Sequence, residues 1–205
     1  MAMTATGPGG PGAGPGAGQR GAIDAVERAA RWFVECRRLD MQGLADELGI
    51  SRATLFRRVG GREALLGRAL WAVTERSLAV AAKRWEGEKP ADALHTTGSL
   101  RHFNAIVAQS AGLRRLLDDE PATAMRILTD PRGRIQPGIV ASVADSLRWD
   151  VEEYGLEPII EPEDLAYALV RIGESFLYAD VLASRKPDVD KANRLQRALI
   201  EGARH

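Results

Sequence analysis

Apolar positions recur at steps of three and four residues over most of this chain, so the pattern predicts an all-α fold. Ile23, Val26, Ala30 and Phe33 mark a first helix over 22–36. Leu44 and Leu48, four apart with the small Ala45 beside them, give the next helix an apolar face that a neighbour can approach closely. Asp40 precedes its start at Met41 as an N-cap, and Gly49 ends it, free to take the left-handed conformation a C′ position needs. Ser51 then caps a third helix whose Leu55 and Val59 face inward. Two short helices locked across one tight turn are the pattern of a helix-turn-helix.

After Gly60-Gly61 nothing interrupts a helix from about Arg62 to Trp85, with Leu66, Leu70, Val73, Ser77, Ala81 and Trp85 near one stripe. At about 1.5 Å per residue it is roughly 35 Å long, enough to join a small N-terminal unit to the rest of the chain. Gly87 to Pro90 makes a corner. The segment 91–110 has helical spacing at Leu100, Phe103 and Val107, but Thr96-Thr-Gly-Ser99 in its middle is poor helix material, so it is either kinked or two pieces. Short helices follow at 112–117 and 121–129, a Pro/Gly corner at 130–138, and an amphipathic helix at 139–154 carrying Val140, Val143, Leu147 and Val151.

Over 163–184 two apolar stripes lie side by side: Leu165, Leu169, Ile172, Phe176 and Ala179, and Ala166, Val170, Gly173, Leu177 and Val181. That is wider than a surface helix needs, and it predicts one face buried in its own subunit and the other in a partner. A last helix over 188–201, with Ala192, Leu195 and Leu199 in register, completes a four-helix bundle with the same pair of a second chain. The alternative is a monomer core buried on all sides.

Composition adds limits. Residues 1–20 are rich in Gly, Pro and Ala with almost no charge or large apolar side chain, and are expected to be disordered. Formal net charge is zero, so affinity for nucleic acid must come from a local patch rather than the field of the whole molecule. The single cysteine, Cys36, excludes an intramolecular disulfide and a cysteine-built metal site. The first residues lack the apolar core of a signal peptide and no apolar run spans a bilayer, which points to a cytoplasmic protein with no membrane partner.

Candidate chemistry concentrates between Ser51 and Arg62, where Arg52, Arg57, Arg58 and Arg62 occur without an acidic residue and with Thr54 and Phe56 interleaved. Guanidinium groups bind phosphate bidentately and read guanine edges, so this capped basic helix suits a DNA major groove. A solvated basic face is the bland alternative. His95 and His102 are seven apart, but no third ligand stands at metal spacing, and neither a metal nor another cofactor is expected. Arg171, Glu174, Ser175 and Tyr178 interrupt an apolar helix, which implies either an Arg171–Glu174 ion pair or a pocket in which Glu174 and Tyr178 orient a ligand. Phe103, Met125, Leu128 and Trp149, from separate helices, are candidates for its apolar lining. No Ser/His/Asp order, metal motif or phosphate loop points to catalytic residues. A helical enzyme acting on a small lactone or acyl compound stays as the alternative to a binding protein.

Residues 44–66, LADELGISRATLFRRVGGREALL, resemble the DNA-binding signature of the TetR family of transcriptional regulators. The resemblance implies a three-helix DNA-binding domain (21–68) joined to a ligand-binding and dimerisation domain (69–205). It also implies a double-stranded DNA operator, a small-molecule effector and a homodimer through the last two helices. It puts Thr54, Phe56, Arg57 and Arg58 in the recognition helix, Arg62 on phosphate at the start of the next helix, and Gln42 beside the DNA backbone. Ser51 and Arg52 open the same helix. Phe56 stands where the family usually has Tyr, so one phosphate hydrogen bond is lost there and Arg58 is the substitute. Residues 168–180 and 186–191 look like the C-terminal domain of the QsdR-type subgroup, associated with lactone signal degradation, which implies a repressor released by a small apolar, acyl or lactone-like effector.

Overall fold

The structure is a computed structural model that describes residues 17–202. The described chain is helical without a strand: α1 (Ala17–Val34), α2 (Met41–Glu47), α3 (Arg52–Val59), α4 (Arg62–Glu88), α5 (His95–Ala108), α6 (Ala111–Asp119), α7 (Pro121–Thr129), α8 (Ile135–Tyr154), α9 (Pro162–Leu177), α10 (Ala179–Ala183) and α11 (Val189–Glu201). The expectation of a disordered tail falls outside the described residues for 1–16, whereas 17–20 already belong to α1.

The N-terminal unit forms as its local signals require. The Asp40 carboxylate accepts from Gly43 N at 2.6 Å, and Ser51 Oγ accepts from Thr54 N at 3.2 Å, so each short helix has one orphan N–H satisfied. Gly49, at φ +64°, makes the turn between them. Ala25, Ala29, Ala30, Trp32 and Phe33 of α1 bury against Leu44, Ala45, Leu55 and Val59. Ile23, expected on that stripe, is half exposed; it sits about 100° round the helix from the Ala22–Ala25–Ala29 line that packs inward. Glu47 ties α1 to α2, accepting from Trp32 Nε1 at 3.2 Å and from Arg37 at 2.9 Å.

The long helix α4 spans 27 residues, about 40 Å, and passes without a break out of this unit. One core runs from α1–α4 into Leu113, Leu116 and Leu117 of α6, Leu128 of α7 and Tyr178; a second joins α4, α5, α8, α9 and α11 around Leu147, Leu165, Leu169 and Ile200. Helix α6 lies so close to α1 that a Cβ on Gly112 would stand 2.2 Å from the Phe33 carbonyl oxygen. No described helix is long and apolar enough to cross a membrane.

Three elements differ from the sequence reading. Helix α5 begins at His95, so Thr96–Ser99 form its first turn and there is neither a kink nor a second piece. The buried Asp150 of α8 caps it, accepting from His95 N at 2.6 Å and Thr96 N at 2.8 Å. Helix α8 starts four residues early, at Ile135, because Pro137 sits in its first turn, where a missing N–H costs nothing. The helix expected over 163–184 stops at Leu177. Tyr178 leaves helical geometry and joins the first core, while Asp180 of α10 pairs with Arg114 of α6. The two stripes of α9 also merge: Leu165, Ala166, Leu169, Val170, Gly173 and Leu177 form one buried face, with Ile172 and Phe176 half-buried at its edge.

Candidate nucleic-acid interface and ligand cavity

The exposed face of α3 carries Arg52, Ala53, Phe56 and Arg57, with Ser51 at its head. The exposure follows from helical geometry, because burying Leu55 and Val59 turns these residues outward. Phe56 is 60% exposed, an apolar ring held in water between basic neighbours. Arg57 is not free to wander. Its guanidinium donates to Thr54 Oγ1 at 3.0 Å, and that same oxygen accepts from the Ser51 hydroxyl at 3.0 Å, so the cap also aims an arginine. Arg58 is half-buried and folds back on α1, where a Cβ on Gly21 would stand 2.2 Å from Nη1. Gln42 is exposed in the first turn of α2 and donates to Asp46 at 2.8 Å.

Arg62 departs from the phosphate-facing position expected of it. Its guanidinium makes a two-toothed bond to Glu120, at 2.8 and 2.6 Å, and Nε donates to the Leu39 carbonyl at 2.8 Å. Glu120 is the residue before α7, so the pair joins the start of α4 to the ligand-side helices. The Arg62 hydrogen bonds hold the Glu120 carboxyl below its usual 4.5, against the opposing effect of burial. The pair's contribution is therefore full above that value and is lost as pH falls through the depressed folded value. Glu120→Gln is expected to lower stability by about 2 kcal/mol at neutral pH and to shrink the loss on acidification. Urea titrations of both proteins at pH 7 and pH 3.5 check this; equal slopes with pH would contradict it.

Between α4, α5, α7, α8 and α9 lies a cavity of about 290 Å³. Phe103, Leu128, Glu174 and Tyr178, all expected at a pocket, line it. Two expected residues do not. Trp149 is half exposed on α8, because it lies two residues, about 200°, round the helix from the buried Leu147. Met125 is half-buried beside the first core, since Ala124 and Leu128 take the inner face of α7. The wall also includes residues not among the expected pocket set: Phe33 and Ser77, which lie on the apolar stripes of α1 and α4, Val34 and Thr74 beside them, and the buried amides Asn104 and Gln196. For Gln196 a signal was present, since Ala192, Gln196 and Ile200 are spaced by four and form the buried face of α11.

The ion pair expected in the polar cluster on α9 forms, and Glu174 and Tyr178 also reach the cavity wall. Arg171 pairs with Glu174, and Glu174 also faces the cavity, accepting from Gln136 Nε2 at 3.3 Å. Burial pushes the Glu174 carboxyl above its ordinary value, outweighing the lowering pull of Arg171 and Gln136. Burial likewise raises the Tyr178 phenol, which stays a neutral hydroxyl. Among the described residues no group of three or more His, Cys, Asp and Glu side chains is placed to hold a metal. His95 bonds Glu86 and Ser99, while His102 meets Glu88.

The C-terminal part of the chain, residues 93–201, matches the family model of the tetracyclin repressor-like C-terminal domain. No curated protein matches. Among solved structures the chain is similar to the transcriptional repressor QsdR of R. erythropolis, from the TetR family, at 30% identity and TM-score 0.77, covering 88% of this chain and 94% of that one. The TetR family repressor AlkX from Dietzia sp. strain DQ12-45-1b, implicated in biodegradation of n-alkanes, shares the fold at 18% identity and TM-score 0.57 (93% of this chain, 97% of that one). So does a TetR-family transcriptional regulator from Mesorhizobium loti MAFF303099, at 15% identity and TM-score 0.53 (92% and 97%).

Proposed function

Because the chain belongs to the TetR family of transcriptional regulators, we propose that it is a dimeric, cytoplasmic repressor released from its operator by a small apolar, acyl or lactone-like effector. Residues 21–68 are the DNA-binding unit and 69–205 the ligand-binding and dimerisation unit. Ser51, Arg52, Thr54, Phe56 and Arg57 read the major groove. Gln42 and Arg58 flank them at the phosphates.

The observation that carries this reading is the composition of the cavity wall. Phe33 and Val34 belong to α1, and Leu70, Val73, Thr74 and Ser77 belong to α4, the helix separated from the end of α3 by only Gly60 and Gly61. A ligand there touches the same helices that set the position of α3. It shifts the population toward a spacing of the two α3 helices that no longer spans successive major grooves. The exposed Tyr167 of α9 and Leu195 of α11, with the half-buried Ile172, Phe176 and Leu199 near them, support pairing through the last helices.

The test is an electrophoretic shift of the chain's own promoter, titrated with acyl lactones, alongside a turnover screen of the same compounds. A shifted band released by a lactone that is recovered intact is expected. Consumption of the lactone without a shift would favour the helical enzyme instead.

A further inference from the structure

The wall of the cavity holds two side-chain amides whose orientation is fixed by one main-chain group. The Leu169 carbonyl can only accept, and it accepts from Gln196 Nε2 at 2.9 Å. Gln196 must therefore turn Oε1 the other way, where it accepts from Asn104 Nδ2 at 2.7 Å. Asn104 spends its second N–H on Asn193 Oδ1 at 2.8 Å. Both donors of Asn104 are thus engaged, and its Oδ1 has no protein partner among the described residues although the residue is only 2% exposed. The second N–H of Gln196, a residue 3% exposed, is unused in the same way.

These two groups meet over Gly173. A Cβ there would stand 3.1 Å from Gln196 Nε2 and 3.7 Å from Asn104 Oδ1, so the glycine lets a donor and an acceptor close in side by side over the α9 backbone. All three residues line the cavity, and most of the remaining wall is apolar. An acceptor that opens only onto an apolar cavity is poorly solvated, whereas one that meets a ligand donor there is repaid in affinity.

We propose that this pair of amides recognises one uncharged group that both donates and accepts a hydrogen bond, an alcohol or a carboxamide, carried on an apolar chain. The proposal rests on the cavity being the effector site. A volume of about 290 Å³ holds about ten heavy atoms at roughly 30 Å³ each. An ester or bare lactone supplies only acceptors and leaves Asn104 Oδ1 unpaired, so a lactone fits well only if it also carries a donor. A carboxylate sets its charge against Asn104 Oδ1 with the Glu174 carboxyl nearby.

Calorimetric titration of the full chain with 1-nonanol, octanamide, methyl octanoate and octanoate tests this. The alcohol and the amide are expected to bind at least about tenfold tighter than the ester and the carboxylate. Asn104→Leu is expected to erase that preference; should the variant not fold, the series on the unaltered chain decides alone. An ester or carboxylate binding as tightly as the amide, or no binding by any of the four, would overturn the proposal. A promoter shift without ligand reads the regulator assignment separately. A flat series with that shift intact sinks only this site, and loss of the shift sinks the regulator reading.

Discussion

A chain carrying Arg57→Ala and Arg58→Ala is expected to bind its operator at least about a hundredfold more weakly while keeping its helical content. Arg57 stands exposed on α3 and is aimed by Thr54, which the Ser51 cap holds in turn. A bidentate arginine contact to a base is worth about 1–3 kcal/mol, and a dimer makes it twice, so the double variant loses several such contacts at once. The two arginines should separate when changed singly. Arg57→Ala should relax sequence preference at one operator position, because the residue faces outward in a fixed direction. Arg58→Ala should weaken all sequences alike and flatten the salt dependence, because its guanidinium lies back against Gly21 at the flank of the unit. Fluorescence anisotropy over a salt series measures both. Arg57 is exposed and lies outside the core, so a drop in midpoint with Arg57→Ala would contradict this placement.

Asp150→Ala should be among the most destabilising single changes in the described residues, by about 3 kcal/mol. The carboxylate is fully buried and accepts from two main-chain N–H groups at the start of α5. Removing it strands both donors away from water, at about 1–3 kcal/mol each. The favourable interaction of an anion with the positive end of the helix disappears as well. Asp150→Asn keeps one acceptor oxygen and should cost about half as much. Because α5 carries Phe103 and Asn104 into the cavity, the alanine variant should also blunt ligand binding. Urea denaturation gives the stability directly, and a loss below about 1 kcal/mol would mean that another group caps the helix.

What was legible in the sequence tracks the range of the interactions concerned. Asp40, Gly49, Ser51, Leu55 and Val59 act within one or two turns of themselves, and each is found in its expected role. The start of α5 was not legible, because the carboxylate that sets it comes from α8, 55 residues away. Arg62 failed for the same reason. Its sequence context offers the adjacent Glu63, while its actual partner Glu120 lies 58 residues on. For the cavity, the periodicity of each helix identifies inward positions such as Phe103 and Leu128 without saying which faces converge, so Trp149 and Met125 lie off the wall that the sequence alone suggests for them. Asn104 and Gln196 are not legible as wall residues because polar residues within amphipathic helices ordinarily face water. Their burial depends on α5, α9 and α11 meeting at Gly173.

Selection of binding sites from a pool of random duplex DNA by the full chain tests the central claim most directly. The account predicts enriched sites made of two related half-sites in inverted orientation, their centres about 10 base pairs or a multiple apart, and no enrichment with the Arg57→Ala, Arg58→Ala chain. A pool that stays random, or enrichment that survives loss of those two arginines, would contradict it.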